Sequence, residues 1–274
     1  MKRPIHTTKL KNRYSGNIIF PDRIAEVIPI GAKLKIKESI SLILPAYNEE
    51  AAIEETVKVS LEKLSGFTDD YEILIIDDAG KDRTGEIAIK LSREFIRVKV
   101  LHNRSNLGIG LSVLRGLKAA EGDIILYNGM DMPFDLDDLK KALPLLKEND
   151  IVVAARSDRS VYSLWRKITS IGNIFLLRLL FKTGLSDMSF IQVFKRHVLQ
   201  DSHITGIISK SPPFVIPEML IRARIRGYKI TQIKVNYYRR RSGKSSYGKP
   251  RDIIWTLYEM FRFRYKLSKL TLKE

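Results

Sequence analysis

The sequence has 274 residues, of which 44% are hydrophobic, so it is long enough to bury a sizeable core in one large or two small domains. It contains no cysteine, which excludes disulfides, a thiolate metal site and a cysteine nucleophile. The formal net charge is +17 but uneven, because residues 40–150 are acidic and both flanks are basic. Basic flanks indicate an anionic partner, such as a nucleic acid, an anionic lipid or a phosphorylated ligand, unless they form only a solvated surface.

The N-terminal residues 1–39 have no clear periodicity, and we interpret them as a basic extension that lies on the main domain. Their positive charge is not followed by a continuous apolar segment, so we do not expect a secretory signal peptide. The best apolar run, IGNIFLLRLLF, is interrupted by Arg178 and has about half of the roughly 20 apolar residues that a spanning helix needs. We therefore expect a cytoplasmic protein.

From Ile40 onward, short apolar runs alternate with helical patterns. The predicted strands are SISLILP, YEILIID, VKVLHN, DIILY and DIVVAA, and the predicted helices between them cover residues 49–63, 84–94, 108–120 and 136–146. This alternation predicts an α/β fold with a mainly parallel sheet covered by helices on both faces. Functional residues are then expected in the loops at the carboxyl ends of the strands.

The pattern loosens after residue 155. It continues with a long amphipathic stretch at residues 163–182, a strand SFIQVFKR, a helix PEMLIRARIRG, a strand KITQIKVNYY and a basic loop RRRSGKSSYGKPR. Residues 252–273 predict one more amphipathic helix. We therefore divide the chain into the extension, an α/β domain at residues 40–238, and a C-terminal part at residues 239–274 with the basic loop and this helix.

Polar turns follow three of the predicted strands, with the sequences LPAYNEE, IIDDAGKDRTG and YNGMDMPFD. A carboxylate at such an edge accepts hydrogen bonds from a nucleobase or ribose, and the start of the next helix favours a diphosphate. The alternative is that Asn48 and Asp82 only cap helices. The third turn has Asp131, with Gly129 two residues before it, and is typical of a site for a hard divalent cation that lacks one ligand. We do not expect Asp135 to replace that ligand.

In order and spacing, these turns and the segment NRSNLGIGLSVLRGLKAAEGD resemble glycosyltransferase family 2, which has a Rossmann-like GT-A fold that binds nucleotide sugars. The resemblance implies that Asp131, the one match in the family's Asp-x-Asp turn, is catalytic and holds Mg²⁺ or Mn²⁺ at the diphosphate. The residues that it assigns to the nucleotide sugar are Pro45, Tyr47, Asn48, Glu49, Asp77, Asp78, Asn106 and Gly108.

The second half of the chain is similar to dolichol-phosphate mannose synthases and related polyprenyl-phosphate hexosyltransferases, through the segments VAARSDRS, LWRKITSIGN, FVIPEMLIRARIRGYKI and YYRRRSGKSSYG. This similarity implies a nucleotide-sugar half at residues 40–135 and an acceptor half at residues 136–238. It assigns the lipid phosphate to Arg156, Arg166 and Ser170. It also implies a loop that closes on the active site, with Gly243, Ser245 and the catalytic residues Arg240 and Lys244.

Three positions depart from the family pattern. Gly129 stands at the first metal Asp, Pro133 replaces a polar residue, and Gln232 replaces a Glu that is common before the last strand. One carboxylate is still sufficient for Mg²⁺, because that ion keeps several waters and binds substrate phosphates.

The activity implied by the resemblance is transfer of mannose or glucose from GDP-mannose or UDP-glucose to a polyprenyl (dolichyl) phosphate, with inversion. The acceptor phosphate, with a second pKa of about 6, is largely a dianion at pH 7 and needs no strong general base. A polyprenyl chain stays in the bilayer, so the implied location is the cytoplasmic face of a membrane. Residues 163–182 and 252–273 are the candidate interfacial helices, with ordinary core packing as the alternative. A membrane-embedded partner protein is another way to reach the bilayer.

Three other functions stay open. The first is a family 2 enzyme with a soluble or polysaccharide acceptor, and the second is a sugar-nucleotide-binding relative that lost catalysis with the Asp at position 129. The third is a nucleic-acid binder, which the basic charge alone would fit. We expect no nucleic-acid partner, because carboxylates at the strand ends would repel a phosphate backbone.

Overall fold

The computed structural model describes residues 35–158, 164–236 and 250–271. In these ranges the strands form one sheet in the order β3-β2-β1-β4-β6-β5-β7. Its strands are β1 (Ile40–Ala46), β2 (Tyr71–Asp77), β3 (Val98–His102), β4 (Ile124–Tyr127), β5 (Ile151–Arg156), β6 (Ile191–Lys195) and β7 (Ile230–Val235). Neighbours are parallel except at β6, which is antiparallel to both β4 and β5. The mainly parallel sheet predicted from the apolar runs is confirmed.

Helices connect these strands and complete the α/β architecture. They are α1 (Ile53–Ser65), α2 (Thr84–Glu94), α3 (Ile109–Ala119), α4 (Leu139–Ala142), α5 (Leu164–Phe181), α6 (Arg196–Gln200), α7 (Ser202–Thr205), α8 (Pro212–Ile225) and α9 (Pro250–Thr271). The helix predicted at residues 136–146 is wrong in type, because α4 is only one turn long and 3-10 segments flank it. Pro144 is the second residue of the second 3-10 segment, and its ring nitrogen has no hydrogen to donate to a preceding turn.

The core surrounds the central strands. Every residue of β1 is buried, and so is every residue of β4, as expected for a sheet covered on both faces. Helix α3 packs so closely on α8 that a Cβ at Gly110 would lie 2.1 Å from the backbone oxygen of Pro212. This contact joins a helix of the first half to one of the second half, and only glycine fits it.

Helix α9 packs on α5 and α8 through three phenylalanines. The ring centroids of Phe181, Phe214 and Phe263 lie 5.7 to 6.0 Å apart, within the usual range for aromatic pairs. No helix among the described residues combines the length and the hydropathy needed to cross a bilayer.

Candidate functional site

The strand directions place the polar turns together. Strands β1, β2, β3, β4, β5 and β7 run in one direction, so their carboxyl ends form one edge of the sheet, while β6 begins at that edge. The turns after β1, β2 and β4 therefore meet at adjacent strand ends, where open α/β sheets bind ligands. This edge is the candidate site.

Asn48 and Asp82 connect the loops after β1 and β2. Asn48 has a backbone φ of 55°, in the left-handed region, and its Oδ1 accepts a hydrogen bond from the backbone N–H of Lys81 at 2.7 Å. Asp82 accepts from the backbone N–H of Glu50 at 3.1 Å and of Thr84 at 3.0 Å. Both side chains thus bridge the two loops, and Asp82 also accepts a hydrogen bond from the first residue of α2. The loops form one connected rim.

The remaining predicted residues of β1 and its loop lie along this rim. Pro45 is buried within the strand, and the ring of Tyr47 is exposed immediately after it. The backbone N–H of Glu49 donates to Thr84 Oγ1 at 2.8 Å. The tyrosine ring is therefore at the surface of the site, supported by a braced backbone.

Asp77 and Asp78 end β2 but have different surroundings. Asp77 is buried and lies 2.9 Å from His102 Nδ1 through Oδ2, and its Oδ1 has no hydrogen-bond partner among the described residues. A Cβ at Gly85 would approach Asp77 Oδ2 to 2.9 Å, so α2 starts directly against this carboxylate. Asp77 is thus packed between β3 and α2.

Asp78 holds the start of α3. Its Oδ1 accepts from Asn103 Nδ2 at 2.7 Å and from the backbone N–H of Leu107 at 2.8 Å, and its Oδ2 accepts from the backbone N–H of Gly108 at 2.9 Å. Gly108 has a φ of 78°, which favours glycine. The carboxylate of Asp78 therefore supports the loop that begins α3, on which Asn106 is exposed.

The turn after β4 is tightly braced. The buried Asn128 donates from Nδ2 to the backbone oxygen of Phe134 at 2.8 Å and accepts at Oδ1 from the backbone N–H of Gly129 at 3.0 Å. The hydroxyl of Thr56 on α1 donates to the backbone oxygen of Met130 at 2.6 Å. The turn therefore presents Asp131 from a fixed backbone.

Asp131 is partly buried in this turn, and Asp135 points to another partner. Asp135 Oδ1 accepts from the backbone N–H of Asp137 at 3.0 Å and lies 3.5 Å from Lys63 Nζ. Hydrogen bonding to Asp137, together with the charge of Asp135, raises the pKa of the Lys63 ammonium. Asp135 is thus held by the backbone of the following 3-10 segment and by Lys63 on α1.

Asp131 is the carboxylate of this turn that the family resemblance assigns to a metal. Residues 35–158, 164–236 and 250–271 contain no group of three His, Cys, Asp or Glu side chains that could hold a metal ion. A single Asp fits Mg²⁺ or Mn²⁺ only when the diphosphate and waters complete the coordination, which is the usual situation for Mg²⁺ at nucleotides.

Arg156, at the end of β5, forms a buried ion pair that the sequence did not indicate. Its Nε and Nη2 donate to the two carboxylate oxygens of Asp187 at 2.6 and 3.0 Å, and the side chains are 12% and 1% exposed. The guanidinium also lies 5.0 Å from the ring centroid of Phe190. The pair uses two of the five N–H groups of the arginine.

The segment that carries Asp187 is itself fixed at both ends. Gln232 Oε1 accepts from the backbone N–H and hydroxyl of Ser186 at 2.9 and 2.8 Å. The hydroxyl of Tyr127 donates toward Gln192 Oε1 at 2.7 Å, and burial raises the pKa of this phenol, with the charge of Asp187 adding to the effect. Gln232, one of the departures from the family pattern, thus lies within β7 and supports the arginine pair.

Ser170 lies on α5 and is partly buried. The side chain of Arg166 and the loop residues Arg240, Gly243, Lys244 and Ser245 lie outside the described residues.

Helices α5 and α9 expose large apolar side chains at helical spacing. The side chains of this apolar face are 54% to 75% exposed. On α5 they are Leu164, Trp165, Ile168, Ile171, Phe175 and Leu179, and on α9 they are Ile254, Tyr258, Phe261 and Tyr265. Isolated exposed apolar residues are ordinary, but a row along two adjacent helices indicates an interaction surface.

The chain is similar in sequence to three named glycosyltransferases. Glycosyltransferase AglD of Haloferax volcanii is 29% identical over 84% of this chain and 37% of its own length. A dolichol-phosphate mannosyltransferase of Pyrococcus furiosus is 27% identical, over 84% of this chain and 64% of its own length. A dolichyl-phosphate beta-glucosyltransferase of Trichomonas vaginalis is also 27% identical, over 72% of this chain and 65% of its own length. The chain thus spans less than two thirds of each relative.

Solved structures show the same fold at lower identity. The mannosyltransferase PcManGT of Pyrobaculum calidifontis, in complex with GDP-Man and Mn²⁺, has a TM-score of 0.58 and 16% identity, covering 84% of this chain and 65% of that one. Glucosyl-3-phosphoglycerate synthase of Mycobacterium tuberculosis, in complex with Mn²⁺, UDP and phosphoglyceric acid, has a TM-score of 0.55 and 23% identity. The match covers 76% of this chain and 72% of that one. The GT-A architecture predicted from the motifs is therefore confirmed.

The family model described as glycosyl transferase family 2 matches residues 41–202, more than half of the chain. This range begins in β1 and extends past β6, so it contains the rim of loops after β1 and β2, the start of α3, the Asp131 turn and the arginine pair. The chain belongs to glycosyl transferase family 2.

Proposed function

We propose that the protein transfers a hexose, mannose or glucose, from a nucleotide sugar to a polyprenyl phosphate at a membrane surface. The observation that carries the proposal is the single edge of the sheet, at which the Asp78 loop follows β2, the Asp131 turn follows β4 and the Arg156 pair ends β5. Two relatives are named as transferases that act on dolichol or dolichyl phosphate, which supports this class of acceptor.

The donor half of the proposal uses the loops after β1, β2 and β4. The exposed ring of Tyr47 and the braced start of α3 provide a surface for a base and ribose, with Asp78 fixing the loop. Asp131 would hold Mg²⁺ or Mn²⁺, which when bound balances the charge of the leaving diphosphate. GDP-mannose and UDP-glucose are the donors that we propose to test.

The acceptor half uses cationic groups. Arg156, at the end of β5, is held by two hydrogen bonds to Asp187, so its guanidinium is fixed at the same edge of the sheet. We assign the phosphate of the acceptor to Arg156, Arg166 and Ser170, and the leaving diphosphate also to Arg240 and Lys244. Charge-assisted hydrogen bonds from arginine suit a phosphate dianion because two parallel N–H groups match its oxygens.

The proposed step is an in-line displacement with inversion. An oxygen of the acceptor phosphate attacks the anomeric carbon while the bond from that carbon to the nucleoside diphosphate breaks, and the diphosphate leaves with the electron pair. The acceptor is already largely a dianion near pH 7, since its second pKa is about 6, so orientation and electrostatic stabilisation are the contributions required of the protein.

The membrane part of the proposal is supported by the apolar face of α5 and α9. A polyprenyl chain is extracted from a bilayer only at high cost, so its phosphate must be reached at the headgroup level. An apolar face beside basic residues, such as Arg264 and Lys266 on α9, suits an anionic cytoplasmic leaflet. We therefore propose a peripheral enzyme that lies on the cytoplasmic face with this surface, with a membrane-embedded partner protein as a further contact.

The test is transfer of labelled sugar from GDP-mannose or UDP-glucose to a short polyprenyl phosphate, with Mg²⁺, Mn²⁺ or EDTA. We expect lipid-extractable label that requires the metal and is lost in Asp131→Asn. Asp135→Asn is the matched control, because that acid lies in the same turn but pairs with Lys63, and it should retain activity. Nucleotide binding without transfer to any prenyl phosphate would contradict the proposal and favour a soluble or polysaccharide acceptor.

A further inference from the structure

Gly129 lies beneath the carboxylate of Asp131. A Cβ built on Gly129 would come within 2.5 Å of Asp131 Oδ1, far closer than the roughly 3.5 Å at which nonbonded atoms make favourable contact. The same Cβ would lie 3.2 Å from Cδ and 3.5 Å from Cγ of Pro133. The space that a side chain at position 129 would fill is therefore occupied by the functional carboxylate and bounded by a proline ring.

The backbone of this turn has little freedom to relieve such a contact. In addition to the hydrogen bonds of Asn128 and Thr56, the backbone N–H of Met132 donates to the backbone oxygen of Gly129 at 2.9 Å. Met132 has a φ of 44°, in the left-handed region, so the chain reverses sharply just after Asp131. A side chain at position 129 is thus expected to displace the carboxylate, which is the end of a rotatable side chain, before it displaces the turn.

We propose that Gly129 is a positioning residue that allows the carboxylate of Asp131 to lie over the turn, and that the glycine is not simply a lost metal ligand. This inference rests on the proposed role of Asp131 at the diphosphate metal. It reverses the simple expectation from the family pattern. Gly129→Asp would place two carboxylates in space that holds one, and would move Asp131 from the position in which it acts.

The test measures Mn²⁺ binding by electron paramagnetic resonance in the presence of GDP, and separately of UDP. We expect Gly129→Ala to weaken Mn²⁺ binding about 10-fold, as displacement of a ligand commonly does, and Gly129→Asp to bind no more tightly than the wild type. Gly172→Ala is the matched control, because a Cβ there meets no atom within 4 Å, and it should leave Mn²⁺ affinity unchanged. Thermal unfolding should change little in Gly129→Ala, since the atom displaced is the end of a side chain.

Tighter Mn²⁺ binding by Gly129→Asp would overturn the inference and identify the glycine as a lost ligand. Where Asp131→Asn weakens Mn²⁺ binding, unchanged binding by Gly129→Ala would also overturn it. A failure of the proposed function has a different result: Mn²⁺ binding that is the same in the wild type and in Asp131→Asn. In that case a crystal structure of Gly129→Ala decides the inference, because a carboxylate of Asp131 in its wild-type position overturns it and a displaced one supports it.

Discussion

The pair of Arg156 and Asp187 allows a prediction whose magnitude follows from burial. Asp187→Ala leaves a guanidinium that is 12% exposed without its partner and removes the acceptor of two charge-assisted hydrogen bonds. Breaking a buried ion pair by removing one partner costs about 3–5 kcal/mol in the free energy of unfolding. We expect Asp187→Ala to fall in this range, because its carboxylate also accepts from the backbone N–H of Ser189 at 3.2 Å.

The assay is urea unfolding followed by circular dichroism. A loss of that size corresponds to a midpoint lower by about 1 M or more, given the usual slope of up to about 3 kcal/mol/M. Replacing both partners, as Arg156→Met with Asp187→Leu, should recover much of the loss, because no unpaired charge is then buried. Asp69→Ala is the control, since its ion pair with Lys35 is at the surface and is expected to cost under about 1 kcal/mol.

A loss below about 1 kcal/mol in Asp187→Ala would refute the reasoning, since it would mean that Arg156 finds other partners or water at no cost. The near-isosteric Asp187→Asn then separates stability from function. If the pair orients the arginine for the acceptor, this variant should raise KM for polyprenyl phosphate more than KM for the nucleotide sugar. Equal changes in both constants would show that the pair has only a structural role.

Three other predictions concern the same molecule. Partial burial favours the neutral form of Glu72, but hydrogen bonding led by Lys99 outweighs burial and lowers the pKa of this acid. The stability that the charged Glu72 contributes is therefore complete above about pH 4.5 and is lost as the pH falls further. Glu72→Gln should therefore flatten the acid limb of a stability-against-pH curve, and an unchanged limb would contradict this. Gly110→Ala should lower the free energy of unfolding by about 1–3 kcal/mol or more, because the added Cβ meets the backbone oxygen of Pro212 at 2.1 Å. An unchanged midpoint of chemical unfolding would show that α3 and α8 separate freely. Phe175→Glu should weaken binding to anionic vesicles, measured by sedimentation, about 10-fold without lowering the melting temperature, because burial of a Phe is worth about 1.5–3 kcal/mol. Undiminished vesicle binding would exclude the apolar face of α5 and α9 from the interface.

The order of strands and helices in the first half was predictable because each element carries its own signal. Strands buried on both faces are continuous apolar runs, and the turns after them combine glycine, asparagine and carboxylates. The boundaries were less certain: the helix predicted from residue 49 begins at Ile53, since the residues after β1 form the rim of the site instead.

The contacts across the chain had no local signal. Nothing in the spacing of Arg156 and Asp187, 31 residues apart, indicates that they pair, because the pairing depends on β6 lying next to β5 in the opposite direction. The same is true of Lys63 and Asp135, which meet only after α1 has packed beside the turn. Motif spacing thus located the site, whereas the partner of each charged group followed from the tertiary fold.

The insertion of β6 between β4 and β5 also affects the order in which the chain can fold. Among the described strands, β4 has β1 on one side and β6 on the other, and β5 has β6 and β7, both of which come later in the sequence. As the chain emerges from a ribosome, β4 remains an open edge and β5 lacks any partner until residues 191–195 have been made. The nucleotide-sugar half is therefore expected to need the later strand to seal its sheet, and a fragment that ends near residue 150 should aggregate through the exposed edge of β4.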